Sequence, residues 1–198
     1  LNPTGERSGP DGNDQRAPAY DSVAGGWTAP FVMAAINTRI VRRSNALLDY
    51  EYGRDFRYDE SVLCGGGLLG FATASATATA LGALLVGVGV APTRVLLEKL
   101  FLPKPGDGPS ANARERGFFD ILLIGKSPDG ELLRAKVYGD RDPGYGATSR
   151  MLGEAAVCLA TDNIAAGGGF WTPASSMGFD LIERLESAAG MSFDIEPD

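Results

Sequence analysis

Lys136–Glu154 reads KVYGDRDPGYGATSRMLGE, and its reading decides the fold class. A β-prone run ends in a tight loop of glycine, aspartate and proline, and a helical pattern restarts at Ala147. Three glycines in so short a loop allow positive φ or close backbone approach. The loop is built to hold backbone, Asp140, Asp142 and Tyr145 against something. The plainer alternative is a strand-to-helix connection whose glycines serve only its turn.

Upstream, Phe118–Ile124 and Glu131–Tyr138 flank Ser127-Pro128-Asp129-Gly130, two β-prone runs around a turn sequence, which predicts a hairpin. Downstream, Ala147–Thr161 reads as a helix with Met151, Ala155 and Leu159 inside. After Gly167-Gly168-Gly169, Thr172 caps a further helix with Pro173 in its first turn. Leu181, Ile182 and Leu185 face inward, Gly190 stops the helix, and Met191–Ile195 adds an edge strand. The fold class is α+β: a mixed, largely antiparallel sheet with packed helices, one of them long and Ala/Gly-rich, and no complete Rossmann unit.

Ahead of the hairpin, Pro103–Gly117 reads as a loop, and Trp27 to about Tyr50 as a helix with Phe31, Val32, Ala35, Ile36, Ile40, Leu47 and Leu48 on its stripe. Residues 1–26 read as a flexible linker or loop, leaving 27–198 as the folded domain. Between them, Ser61–Thr93 carries no charged residue. Small residues recur every four positions, as in Ala72, Ala76 and Ala80, which lets another helix come close. The segment is expected to pack within the protein or at a subunit interface. Membrane insertion or contact through 65–90 is the alternative, its length sufficing, while its many Gly, Thr and Ser residues and the acidic Asp59 and Glu60 on one flank weaken the case.

The 198 residues suit one domain, and 44% hydrophobic content suits a folded core. A net charge of −7 without a long basic run argues against nucleic acid as a partner. Two distant cysteines, Cys64 and Cys158, fit reduced thiols in a cytoplasmic protein, with membrane association as a variant of that placement. With no histidine, Ser-His-Asp and Cys-His catalysis and histidine-bound zinc are excluded. Proton transfer then falls to Tyr, Asp, Glu, Lys or a cofactor.

Gly65, Gly67 and Gly70 match G-x-G-x-x-G, yet the preceding strand is meagre, no βαβ alternation follows, and the next acid is Glu98. Gly125-Lys126-Ser127 resembles the end of a P-loop but lies at a hairpin turn and lacks the first glycine. Asp140 with Asp142 could serve a metal-dependent hydrolase, although two acids at a turn more often hold local N–H groups. No metal site is expected.

Trp27–Asn45 (WTAPFVMAAINTRIVRRSN), Tyr52–Tyr58 (YGRDFRY), Pro103–Gly108 (PKPGDG), Gly139–Glu154 (GDRDPGYGATSRMLGE) and Gly168–Ala174 (GGFWTPA) together resemble the C-terminal part of saccharopine dehydrogenase-like oxidoreductases. The trans-acting enoyl reductases of complex-lipid synthesis are the subgroup they look most like. The resemblance implies a parent with an N-terminal Rossmann domain that binds NADP or NAD. A C-terminal α/β domain closes over it, and that is the part this sequence matches. The chain alone is then expected to hold no cofactor and to be inactive. Its expected partners are the missing nucleotide-binding domain, further copies in a homo-oligomer, and a lipid or acyl substrate.

No catalytic residue is assigned by the resemblance. Asn37 and Arg39, with Asp140, Asp142 and Tyr145, are the candidates for contacting substrate or the nucleotide domain. In the parent, Tyr145 and Asp140 would orient substrate or donate a proton. The rival reading is a non-catalytic assembly or membrane-associating module acting through Gly65–Val90.

Overall fold

The computed structural model describes residues 12–100 and 106–196, which belong to two compact units, Leu1–Pro105 and Gly106–Asp198. The class is α+β, with two small antiparallel sheets and a single long helix. No Rossmann-like unit is present among the described residues. All strand pairing is antiparallel, and the strands divide between two three-stranded sheets.

In the first unit, β1 (Ala19–Asp21), β2 (Gly26–Pro30) and β3 (Ser61–Leu63) form a sheet with β2 in the centre. Part of the span read as a linker or loop is therefore ordered strand. Asp21 Oδ1 accepts from the amides of Val23 and Ala24 and closes the β1–β2 turn. The buried Thr28 donates to the Gln15 side chain, which donates back to the Thr28 carbonyl. Trp27–Pro30, read as the start of a helix, is a strand because β1 and β3 pair with it on both edges. The helix α1 begins later, at Ala34–Leu47.

The face that α1 buries is small and polar: Ala34, Thr38, Ser44 and Asn45. Asn45 accepts from the Tyr52 amide and donates to the Gly53 carbonyl, so it folds the following loop onto the helix end. The apolar stripe foreseen on this helix is open instead, with Val32, Ile36 and Ile40 exposed. The buried hydroxyls of Thr38 and Ser44 donate to carbonyls of the helix itself, at Ala34 and Ile40.

After β3 the long helix α2 (Gly67–Gly89) leads into the short α3 (Ala91–Leu100). The entry turn places Gly65 at φ +87° and Gly67 at φ +63°, left-handed conformations that favour glycine. Trp27 donates to the Gly65 carbonyl at 2.8 Å, which fixes that peptide on β2. Gly70 and Ala74 are the buried positions of α2, and Phe71 meets the Trp27 ring edge-on at 4.7 Å. The remainder of α2 is largely exposed, so of the two expected placements, within the protein or at a subunit interface, it does not take the first.

In the second unit, α4 (Ala111–Arg116) lies within the span read as a loop, capped by Ser110, whose Oγ accepts from the Ala113 amide. Within that span, residues 103–105 lie outside the described residues. The foreseen hairpin is β4 (Phe119–Lys126) with β5 (Leu132–Gly139), and β6 (Met191–Glu196) pairs with β5 as an edge strand. Helices α5 (Gly146–Thr161), α6 (Pro173–Ser176) and α7 (Gly178–Ala188) complete the unit. Thr172 caps α6 through a reciprocal bond pair with Ser175. The single helix expected here is two, parted at Gly178, which has φ +50°.

The register puts Ile121, Val137 and Phe193 on one face with Leu123, Ala135 and Ile195, while Lys136, Asp194, Arg134 and Glu196 take the other. Near β6, Met191 and Phe193 pack on a core of Cys158, Met177, Leu181, Leu185 and Ala189. Cys158 takes the inward position expected of Leu159, which is exposed, because the buried side of α5 follows Met151, Ala155 and Cys158. Farther along the same apolar face, Ile121, Leu133 and Ile195 stay exposed.

Candidate functional site

The loop between β5 and α5 is held by backbone at close range. Gly139 is buried where a Cβ would run into the Phe119 ring, and at Gly146 a Cβ would lie 2.7 Å from the Arg114 carbonyl oxygen. Neither glycine has positive φ, so close approach explains their presence. The Asp142 amide donates to the Arg114 carbonyl at 3.1 Å, tying the loop to the end of α4.

Both acids of the loop serve this architecture. The Asp142 carboxylate accepts from the amides of Tyr145 at 2.7 Å and Gly146 at 3.2 Å, at the start of α5. Those two bonds lower its pKa below the usual carboxylate value. The Asp140 amide donates to the Gly190 carbonyl, its carboxylate lies close over Gly190, and Gly190 has φ +72°, a conformation that favours glycine. Tyr145 differs: its ring is exposed and lies over Gly108. Of the two acids, Asp142 is engaged with amides, while the Asp140 carboxylate is half exposed with Arg141 Nε 3.9 Å away, so Tyr145 and Asp140 are the side chains open to a ligand.

Asn37 and Arg39 stand on α1, in the other unit. Asn37 donates to one Glu60 oxygen and Tyr58 to the other, both at 2.9 Å. Burial and the bond to Glu60 push the Tyr58 phenol well above its ordinary value. Arg39 is exposed two residues on, so it points away from Asn37 around the helix.

A cluster not anticipated from sequence surrounds Arg184. Its Nε and Nη2 donate to the two oxygens of Asp162 at 2.6 Å each, and Nη1 approaches Glu154 at 3.4 Å. The fork geometry suits a carboxylate and joins α7 to the end of α5. The spacing along the chain gave no signal, since the pair is formed by packing α7 on α5. Arg184 holds the Asp162 carboxyl well below its usual range, while burial and the bond to Asp162 push the Cys158 thiol up. A groove of about 640 Å³ beside it is lined by Asp162, Asn163, Asp180, Glu183, Arg184 and Ser187. Its guanidinium is already paired and its other charges are acidic, so it offers nothing to an anion. Among the described residues, no group of three or more His, Cys, Asp or Glu is placed to hold a metal ion.

The Asp162 bond has a pH signature. Its folded pKa lies below the unfolded one, so its stabilisation is complete above the ordinary carboxylate range, roughly pH 4, and is lost as pH falls toward the folded value. The stability difference between the wild type and Arg184→Gln is therefore expected to be constant above about pH 5 and to shrink below about pH 4. Urea unfolding at a series of pH values measures it, and a difference independent of pH down to acid unfolding would refute the assignment.

The two units thus form an α+β protein with a loop-borne tyrosine and no nucleotide cradle among the described residues. Comparison with known proteins adds its relatives. Over 175 residues, 86% of this chain, it is 46% identical to a Mycobacterium tuberculosis protein provisionally named a trans-acting enoyl reductase, and the match covers 41% of that protein. It is 39% identical over 172 residues to the trans-acting enoyl reductase of Mycobacterium ulcerans, covering 82% of this chain and 40% of the relative. For the trans-acting enoyl reductase of Mycobacterium bovis the identity is 38% over 182 residues, 87% of this chain and 43% of the relative. The chain's homologues are thus proteins named trans-acting enoyl reductases, and it spans about two-fifths of their length. No family model and no solved structure matches the chain.

Proposed function

We propose that this chain is the substrate-side and oligomerisation part of a saccharopine dehydrogenase-like oxidoreductase that uses NADPH or NADH to reduce an enoyl group in lipid synthesis. The observation that carries the reading is the 46% identity, over 86% of the chain, to a relative provisionally named for that reaction. Enoyl reduction adds a hydride to one alkene carbon and a proton to the other, and the nicotinamide supplies the hydride when bound. The described residues do not fit a dinucleotide. The strand before Gly65 is antiparallel to its neighbour, and α2 runs into α3 with no parallel strand after it. In this reading the nucleotide is held by a separate N-terminal domain of the intact protein. Ile36 and Ile40 on α1, and Ile121, Leu133 and Ile195 on the second sheet, are the apolar surfaces offered to that domain or to a second copy.

Tyr145 is the residue assigned to substrate, because its ring is exposed while Asp142 is engaged with two amides; the half-exposed Asp140 is assigned to help orient the substrate. Its phenol is placed to hydrogen-bond the substrate and to deliver the proton that accompanies hydride. The test joins the chain to a nucleotide-binding domain and follows NADPH oxidation with an enoyl thioester. Tyr145→Phe is expected to lower kcat roughly 10²–10⁴-fold without changing NADPH affinity. Stoichiometric NADPH binding by the 198-residue chain alone would overturn the division of labour.

A further inference from the structure

Helix α2 packs on β2 near its start and on α3 near its end, where Leu97 lies 3.0 Å from the Cβ position of Gly87, and leaves most of its remaining apolar circumference open. Between Ser61 and Thr93 there is no charge, and only 6% of the helix's apolar stretch is buried. That low burial separates it from the core helix of a water-soluble domain, which can match it in length and composition. Exposed Leu68, Leu69, Phe71, Leu84, Leu85, Val86 and Val88 point in all directions around the axis, since successive residues are turned by about 100°. A partner helix covers one stripe of such a surface, whereas hydrocarbon covers all of it.

Length and flanks agree with hydrocarbon. Its 23 residues make about 34 Å of helix, against a bilayer core of about 30 Å. At its start stand Tyr20 and Trp27, whose rings touch edge-on at 5.6 Å, the residue types favoured at headgroup level. Past its end the sequence 91–105 carries Arg94, Lys99 and Lys104 against one acid, Glu98, a local positive balance in a chain of net charge −7. Bases at that position complement anionic lipid headgroups.

We propose that α2 is embedded in the hydrocarbon of a phospholipid membrane, with Tyr20 and Trp27 at the headgroups beside its start and Arg94 and Lys99 of α3 at anionic headgroups beyond its end. This goes beyond the enzymatic reading and does not depend on it. The acyl substrates of that reading would be presented to the protein from the same phase.

The experiment is flotation of the full chain with phosphatidylcholine vesicles, with and without phosphatidylglycerol. The protein is expected to float with both, more completely with the anionic lipid. It should stay bound at ~1 M salt, where the screening length is about 3 Å and charge attraction alone would fail. The double variant Ala80→Glu with Leu84→Glu changes exposed positions of the helix and is expected to lower the bound fraction about 100-fold. Far-UV circular dichroism of the variant checks that it remains folded. A wild-type chain that stays in the aqueous fraction sinks the proposal, as does a variant that floats equally well. A lipid-indifferent dimer that the same variant splits would assign the helix to a second copy instead.

Discussion

Leu185→Ala is expected to destabilise the second unit by about 2–5 kcal/mol, the largest single-residue effect foreseen here. Leu185 is 7% exposed and sits in the cluster of Cys158, Met177, Leu181 and Ala189, with Met151, Phe193 and Met191 around it. Truncation removes apolar contacts on every side and leaves a cavity between α7, α5 and β6, which hydrogen-bonded neighbours cannot close. A unit of this size is held by only about 5–15 kcal/mol, so much of its stability would go. Urea denaturation followed by circular dichroism measures the loss. Leu152→Ala is the internal control: Leu152 stands on the same layer of helices at 70% exposure, and its removal should stay within about 0.5 kcal/mol. Equal effects at the two positions would mean that the core is not where the structure puts it.

Two glycines of one helix are expected to respond with opposite signs. At Gly70 an added Cβ would run into the Gly65 carbonyl, which the Trp27 amide holds in place, so the obstacle is backbone and cannot swing aside. Gly70→Ala is expected to cost about 1–3 kcal/mol, with α2 pushed off β2 and the Trp27–Phe71 contact loosened. Trp27 fluorescence in a urea titration reports both the loss of stability and that displacement. Gly82 has nothing within 4 Å of its Cβ position. There alanine should add roughly 0.5–1 kcal/mol through helix propensity alone. If Gly70→Ala stabilised as Gly82→Ala does, the close entry turn would be disproved.

That contrast shows what the letters conveyed. Gly65, Gly67 and Gly70 could be seen as a dinucleotide-like pattern and set aside, because no βαβ alternation followed. Their actual work could not be seen: two left-handed turn residues and one close contact of the helix with its own entry turn. The hairpin β4–β5 was legible because its turn chemistry is local, and so was the capped start at Thr172-Pro173. Trp27–Pro30 was misread, since it stands directly before the helical apolar stripe that starts at Phe31, and only pairing with β1 and β3 makes it a strand. The loop of Asp140, Asp142 and Tyr145 was recognisable as a structured loop, but not which of its side chains would be left over. The Asp142 carboxylate does hold nearby N–H groups, as two acids at a turn suggest, whereas the placing of Asp140 depended on Gly190, which is distant in sequence. The Arg184–Asp162 bond was invisible for the same reason.

By itself the sequence determined the α+β class, the antiparallel hairpin, the uncharged helix and the exclusion of histidine chemistry. Each is a matter of composition or of interactions within a few residues. Tertiary structure alone decided that the strands form two sheets, that α1 buries its polar side, and that α2 remains bare. It also joined Arg184 to Asp162. These outcomes turn on which distant segments meet, and the free energy of burying one face or another is settled only after they do.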